Sequence, residues 1–268
     1  KIILPEAITK KPIDFSDINN NCFGYVIELI PRDFVSLFDC LSNRKYFLTM
    51  KKRLEICLSI INVFEVLQNS DLQINYFDDS SIYINIDSSE VLLFEPEKIS
   101  KTKQDFQIAY PQRYLAPEVI TNDAESSVYT TRHTVAVILF MLMFGTHPLE
   151  GEKRLVPCLT YKDEQNLYGY NPVFIADPND DCNRANDYVH CEFIALWEHV
   201  PEYFKQFFID VFSSERLHNP RKRLSLTSYR TAFDKFLNDV NNCNSKNLSY
   251  IDNNYVERCV FCGEAIKK

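Results

Sequence analysis

The sequence predicts an α+β protein, mostly helical, whose sheet structure is confined to small β-hairpins. Two long apolar patterns at helical spacing, 53–68 and 131–148, are too hydrophobic to lie on a surface. Two short β-branched runs, "SIYINI" (81–86) and "EVLLFE" (90–95), stand between them, joined by the turn "DSS". Of 268 residues, 46% are hydrophobic and 13% aromatic, with 20 Phe and 15 Tyr, enough for a sizeable core.

In chain order, residues 1–24 read as a polar, extended lead-in. It ends at "CFGYVIELI" (22–30), whose β-branched and aromatic run predicts a buried strand stopped by Pro31. "FVSLFDCL" (34–41) has short helical spacing. In 53–68, Leu54, Cys57, Leu58, Ile61 and Phe64 form one stripe of a deeply buried helix. The hairpin follows, then a loop with Lys101 and Lys103 leading to "RYLAPEVI". The second buried helix, 131–148, is stopped by Gly145 and Pro148. Irregular Pro- and Asn-rich chain is expected over 151–192, and helices over 201–213 and 226–239. After Val240 the sequence "NNCNSKN" reads as a linker to a tail carrying "CVFCGE", giving a domain over 1–240 and a tail over 241–268.

Net charge is −8 with no basic stripe, which argues against nucleic acid as a partner. The longest apolar run, Val135 to Phe144, is too short for a bilayer span, so no membrane association is expected. Lys1 leads into a polar stretch, so no secretory leader is expected. Nine scattered cysteines, most beside apolar neighbours, predict reduced, buried thiols in a cytoplasmic protein.

The order of these elements resembles the C-terminal lobe of a protein kinase over roughly 22–240. "VIELIP" (26–31) looks like the hinge, "RYLAPEV" (113–119) like the end of an activation segment, and "VAVILFMLMFGTHPLEG" (135–151) like the central helix and its loop. "NPRKRLS" (219–225) is similar to the turn whose arginine braces the glutamate of "APE". The resemblance therefore pairs Glu118 with Arg223 as a buried structural ion pair, and points to the backbone near Glu28–Ile30 for nucleotide contact. "HPLEG", "LYGYNPVFIADPNDDCNR" (167–184), "HCE" (190–192) and "CVFCGE" (259–264) further resemble bacterial kinase-like proteins of the tellurium-resistance type, which are encoded beside von Willebrand A-type proteins and metal-dependent phosphatases.

Phosphoryl transfer needs a phosphate cradle, a lysine, a loop aspartate and metal ligands. Only five Gly are present, none clustered, and no strand lysine precedes the hinge-like run, so an N-lobe is expected to be absent or incomplete in this chain. In "LQINYFDDSSIYI" (72–84) the family's His-Arg-Asp falls on Ile74, Asn75 and Tyr76, and its metal-binding Asn on Ser81. "DFG" falls on Glu95, Pro96 and Glu97, the Gly-Thr pair on Tyr110 and Pro111, and the helix-starting aspartate on Thr131. Asp78 and Asp79 lie about 7–10 Å of extended chain beyond the Tyr76 position, whereas a general base must come within about 3 Å of its proton. They read as a solvated acidic turn. Glu95 reads as an ordinary surface or paired acid, with weak Mg²⁺ binding as the alternative. His133 and His147 read as core or capping residues. Asp177, Asn179 and Asp181 alternate like a calcium loop, but Cys182 and Tyr188 stand where Gly and Glu are needed.

Cys259 and Cys262 form a knuckle able to present two thiolates to zinc. The readings are a truncated zinc ribbon, a zinc shared between chains, a three-cysteine site with Cys243, or a redox pair. Zinc, and ATP with Mg²⁺ bound weakly or not at all, are the implied cofactors. The expected function is that of a pseudokinase: a regulatory or scaffolding module in bacterial phospho-signalling or stress response that binds a kinase, phosphatase or von Willebrand A-type protein. The alternatives are an active serine/threonine-type kinase or nucleotidyl transferase with a remodelled site, and a helical binding domain unrelated to kinases.

Overall fold

The computed structural model describes residues 28–42, 48–70, 78–94 and 112–241, and elsewhere only the backbone of short strand pairs. Its architecture is α+β and mostly helical, around a small antiparallel sheet. That sheet has the order β3-β5-β6, with β3 at Phe34–Ser36, β5 at Ile82–Asn85 and β6 at Val91–Leu93. Ile84 sits opposite both Val35 and Val91. The β5–β6 turn is closed by Ser89, whose φ of 63° is the left-handed bend of the connection. Backbone pairs also form between β1 (Ala7–Ile8) and β2 (Tyr25–Val26), between β4 (Gln73–Ile74) and β7 (Ile99–Ser100), and between β8 (Ser249–Ile251) and β9 (Glu257–Cys259).

Two helices carry the core. α2 (Met50–Asn69) starts at Thr49, whose hydroxyl accepts from the Lys52 amide, and buries Leu54, Cys57, Ile61 and Phe64 among others. α4 (Val128–Phe144) starts in a capping box, with Ser127 and Thr130 satisfying each other's backbone amides. From Val135 to Phe144 it is buried on every side. It ends because Gly145 adopts φ 70° and its N–H closes onto the Met141 carbonyl, a left-handed cap that glycine enters without a Cβ penalty. Arg53 of α2 reaches this end and donates to the carbonyls of Leu142 (3.3 Å) and Met143 (2.7 Å). A buried cation is thereby placed at the negative end of the central helix dipole.

Seven further helices are described. These are α1 (Leu37–Ser42), α3 (Pro117–Ile120), α5 (Tyr161–Gln165), α6 (Cys191–His199), α7 (Glu202–Val211), α8 (Ser214–His218) and α9 (Leu226–Asn241). The Phe140 ring lies 5.1–5.8 Å from the rings of Phe174, Phe193, Phe208 and Phe212. This tilted and edge-on aromatic cluster binds α4, α6, α7 and the 172–176 segment together. α9 packs along α2, and Arg230 of α9 donates to Glu65 of α2 through Nε at 2.9 Å.

The structure corrects several expectations. Glu28 and Leu29 are exposed coil, with Leu29 87% accessible, so the buried strand expected over 22–30 does not extend there. "FVSLFDCL" begins as strand β3 before turning helical. The 151–192 stretch is not merely irregular: it contains α5, a π-turn over Asn166–Tyr170 and the start of α6. Cys40 and Cys57 are buried, but Cys158, Cys182 and Cys191 are exposed, so buried thiols are only part of the cysteine set. Among the described residues no helix is long and apolar enough to cross a membrane.

Asn183 organises the segment after α4. Fully buried, its carboxamide accepts from the amides of Gly151 (3.2 Å) and Lys153 (3.1 Å). It donates to the carbonyls of Leu149 (2.8 Å) and Val173 (2.7 Å). Gly151 is required here, since a Cβ would lie 1.8 Å from the Asn183 carbonyl oxygen. Asn183→Ala removes the side-chain partner of four buried or part-buried backbone groups, and urea unfolding is expected to show a loss of about 2–4 kcal/mol. An unchanged midpoint would contradict this role.

Candidate functional site

The "APE" segment and the arginine turn meet, although Glu118 and Arg223 are 105 residues apart in sequence. Both guanidinium ends pair with the Glu118 carboxylate at 2.7 Å, a bidentate geometry that adds direction to charge. The remaining donors reach the carbonyls of Tyr129 (3.1 Å), Leu217 (3.2 Å) and Arg216 (3.2 Å). The Arg223 side chain is 3% exposed. α3, the start of α4 and α8 thus converge on one cation whose hydrogen bonds satisfy its burial.

The 78–81 loop stands directly before β5 and is tied through Tyr114 to the segment that precedes α3. Asp78 Oδ1 accepts from the amides of Ser80 (2.8 Å) and Ser81 (3.2 Å) and from both serine hydroxyls. This is an Asx-type turn, the local self-bonding that short acidic side chains favour. Ser81, which stands where the resemblance puts the family's metal-binding Asn, is 1% exposed and turns its hydroxyl to Asp78. Asp79 is not the solvated acid expected. It is half-buried, and its carboxylate accepts from the Tyr114 hydroxyl at 2.6 Å, while its carbonyl accepts from the Phe38 amide. Burial raises its pKa despite the Tyr114 hydrogen bond, with the neighbouring Asp78 charge pushing the same way. Burial, together with the Asp79 carboxylate, likewise raises the Tyr114 phenol, so that hydroxyl stays protonated as the donor.

Tyr114 also ties the loop to α4, through its carbonyl accepting from Thr134 Oγ1 at 2.8 Å. Thr131, at the position of the family's bracing aspartate, instead donates to the Ser127 carbonyl within its own helix. One residue away, Arg113 donates through Nε to Glu150 at 2.6 Å, and the Tyr168 hydroxyl donates to the same oxygen at 2.7 Å. Burial opposes the Glu150 charge, but His147, Arg113 and these hydrogen bonds outweigh it and lower its pKa. His147, fully enclosed, accepts at Nδ1 from the Leu149 amide (3.1 Å), so its Nε2 carries the proton donated to the Arg113 carbonyl (2.8 Å). Burial lowers its pKa to about 4. His133 is likewise buried and held neutral, chiefly by desolvation.

The other sequence-derived positions are scattered. Glu28 and Ile30 lie on the segment leading into β3. Tyr76, Glu95, Pro111, Cys243 and Cys262 fall outside the described residues, and Cys259 is placed only as backbone in β9, opposite Ser249. Asp177 and Asp180 each accept from a backbone amide two residues on. Among the described residues, no group of three or more His, Cys, Asp or Glu side chains is arranged to hold a metal. The Asp79–Tyr114 bond and the Arg113–Glu150–Tyr168–His147 cluster were not foreseen. Tyr114 and Glu150 stand inside the quoted motifs "RYLAPEV" and "HPLEG", but only the fold shows what they reach. No protein-family model matches the chain, and no curated protein matches it.

Chemically, the site presents closed hydrogen-bond circuits: every acid described here is occupied by a turn, a phenol or an arginine. Two outcomes follow. Arg223→Met strands Glu118 in a buried position and is expected to cost about 3–5 kcal/mol in urea unfolding, with Glu118→Gln costing less because its carbonyl still accepts. Because the unfolded His147 protonates near pH 6.5 and the folded one only near 4, the unfolded state binds the extra proton between them. Stability is therefore lost as pH falls from about 6.5 to 4, by about 3 kcal/mol from this residue. His147→Gln is expected to flatten the slope by that amount relative to the wild type, and equal slopes would contradict it.

Proposed function

We propose that the chain is a protein kinase-like module that has lost phosphoryl transfer and acts by holding partner proteins. The observation that carries this reading is the contrast between brace and loop. The Glu118–Arg223 pair is complete and buried, while the loop before β5 spends Asp78 on its own turn, Ser81 on Asp78, and Asp79 on Tyr114. A general base needs a free approach to its proton, and a Mg²⁺ site needs oxygen ligands turned outward. The Ser81 hydroxyl is turned inward. The bacterial tellurium-resistance resemblance supports the same reading, with a kinase, phosphatase or von Willebrand A-type protein as partner, in a cytoplasmic phospho-signalling or stress system. A zinc knuckle at Cys259 and Cys262 belongs to this proposal as a tail element.

One observation favours an active enzyme instead. A carboxyl with a raised pKa beside a phenol is an arrangement that active sites use, and Asp79 has it. The two readings separate in an assay of the whole chain with Mg²⁺ and γ-labelled ATP. No transfer to the chain or to a general acceptor protein is expected, and Asp79→Asn is expected to change nothing. Transfer that disappears in Asp79→Asn or Glu95→Ala would overturn the pseudokinase reading.

A further inference from the structure

A groove of about 540 Å³ lies between the segment that follows α4 and the turn from α7 to α8. That volume is within the ~300–1,000 Å³ of ligand pockets. Lys153, Asn171, Asp177 and Asp180 line it from one side, Ser214 and His218 from the other. Most of the first wall belongs to "LYGYNPVFIADPNDDCNR" (167–184), a run that the partner-holding reading leaves unused. The buried Asn183 clasp fixes this wall: its carboxamide bonds the Lys153 amide and the Val173 carbonyl, and both residues line the groove. Asn166 opens the π-turn and Asn171 follows it. Both line the groove, and Asn171 Nδ2 donates to Asn166 Oδ1 at 2.6 Å. Single π-turns recur at functional sites. Pro172, Val173 and Ile209 supply apolar surface between the polar groups.

We propose that this groove binds a small neutral polyhydroxylated molecule, a sugar or sugar alcohol. What the lining groups retain after their own bonds selects the occupant. Asp177 and Asp180 each accept one backbone amide at Oδ1, from Asn179 (2.8 Å) and Cys182 (3.0 Å), and each keeps its second oxygen for an occupant. His218 donates through Nδ1 to the Ser214 carbonyl at 2.8 Å and keeps Nε2. Lys153 has three donors and spends one, at 3.5 Å, on the Asn171 carbonyl. Ser214 adds a hydroxyl, which both donates and accepts. Donors and acceptors are thus mixed along both walls. A phosphate or carboxylate ligand meets Asp177 and Asp180 with like charge, and an amine finds Lys153 already beside Asp180. An apolar molecule strips water from all of these groups and returns no hydrogen bond. A hydroxyl donates and accepts at once, so a ring of hydroxyls answers each group while its C–H face covers Pro172, Val173 and Ile209.

The test is saturation-transfer NMR on the whole chain with glucose, galactose, mannose, ribose, sorbitol and trehalose, beside putrescine and inorganic phosphate. A thermal shift does not serve, because polyols excluded from a protein surface stabilise any folded chain. At least one sugar or polyol is expected to receive saturation, with a dissociation constant on the order of 1 mM for a ligand of about a dozen heavy atoms. That affinity is expected to weaken at least about tenfold in Ser214→Trp, which fills the groove from α8, and in Asp180→Ala, which removes an acceptor. Tyr188→Ala, at an exposed residue outside the groove, is expected to leave it unchanged. Circular dichroism confirms that the three variants fold. No saturation of any sugar or polyol, affinities equal in the wild type and both groove variants, or tighter binding of putrescine or phosphate would overturn the proposal. The outcome is separate from the phosphoryl-transfer assay, since no residue of 78–81 lines the groove.

Discussion

Arg223 is the cation on which α3, the start of α4 and α8 converge. A guanidinium buried to 3% exposure is tolerable only if its donors are matched, and each nitrogen finds an acceptor: two Glu118 oxygens and three carbonyls from the start of α4 and from α8. Such a pair fixes geometry more than it adds net stability. It sets α3 against α4, and α3 in turn positions Tyr114 and Arg113, from which the Asp79 and Glu150 contacts follow. Arg53 plays the complementary part at the far end of α4, capping its carbonyls. The central helix is therefore held at both ends by arginines from other parts of the chain.

Within that frame the polar groups form circuits that close on themselves. Asp78 bonds Ser80 and Ser81, Asp79 accepts a hydrogen bond from the Tyr114 hydroxyl, and Glu150 collects Arg113 and Tyr168. Networks of this kind rigidify a structure when every member is satisfied. They also leave little that is poised to react. That combination of an intact frame and a closed loop is what the proposed partner-holding role rests on.

Much of the frame was legible in the sequence. The helical patterns at 53–68 and 131–148 became α2 and α4, because long apolar periodicity survives any tertiary context. Glu118 and Arg223 were paired from motifs alone. What was not legible depends on distance in space. The Asp79–Tyr114 bond joins residues 35 apart, and no spacing in "YFDDSS" announces it. Asn183 sits in an acidic, loop-like run, and its role as a four-bond clasp exists only once 149–153 and 171–175 are brought together. α6 was missed because it follows that polar run directly, with no capping side chain to mark its start.

The claim that the 78–81 loop is structural and not poised for catalysis is tested most directly by amide hydrogen exchange at Ser80 and Ser81. Both amides donate to Asp78 in a loop tied down by Tyr114. Protection comparable to that of the β5–β6 hairpin is expected, unchanged by Mg-ATP and reduced in Tyr114→Phe. Rapid exchange in the free protein, or protection that appears only when Mg-ATP is added, would contradict the account.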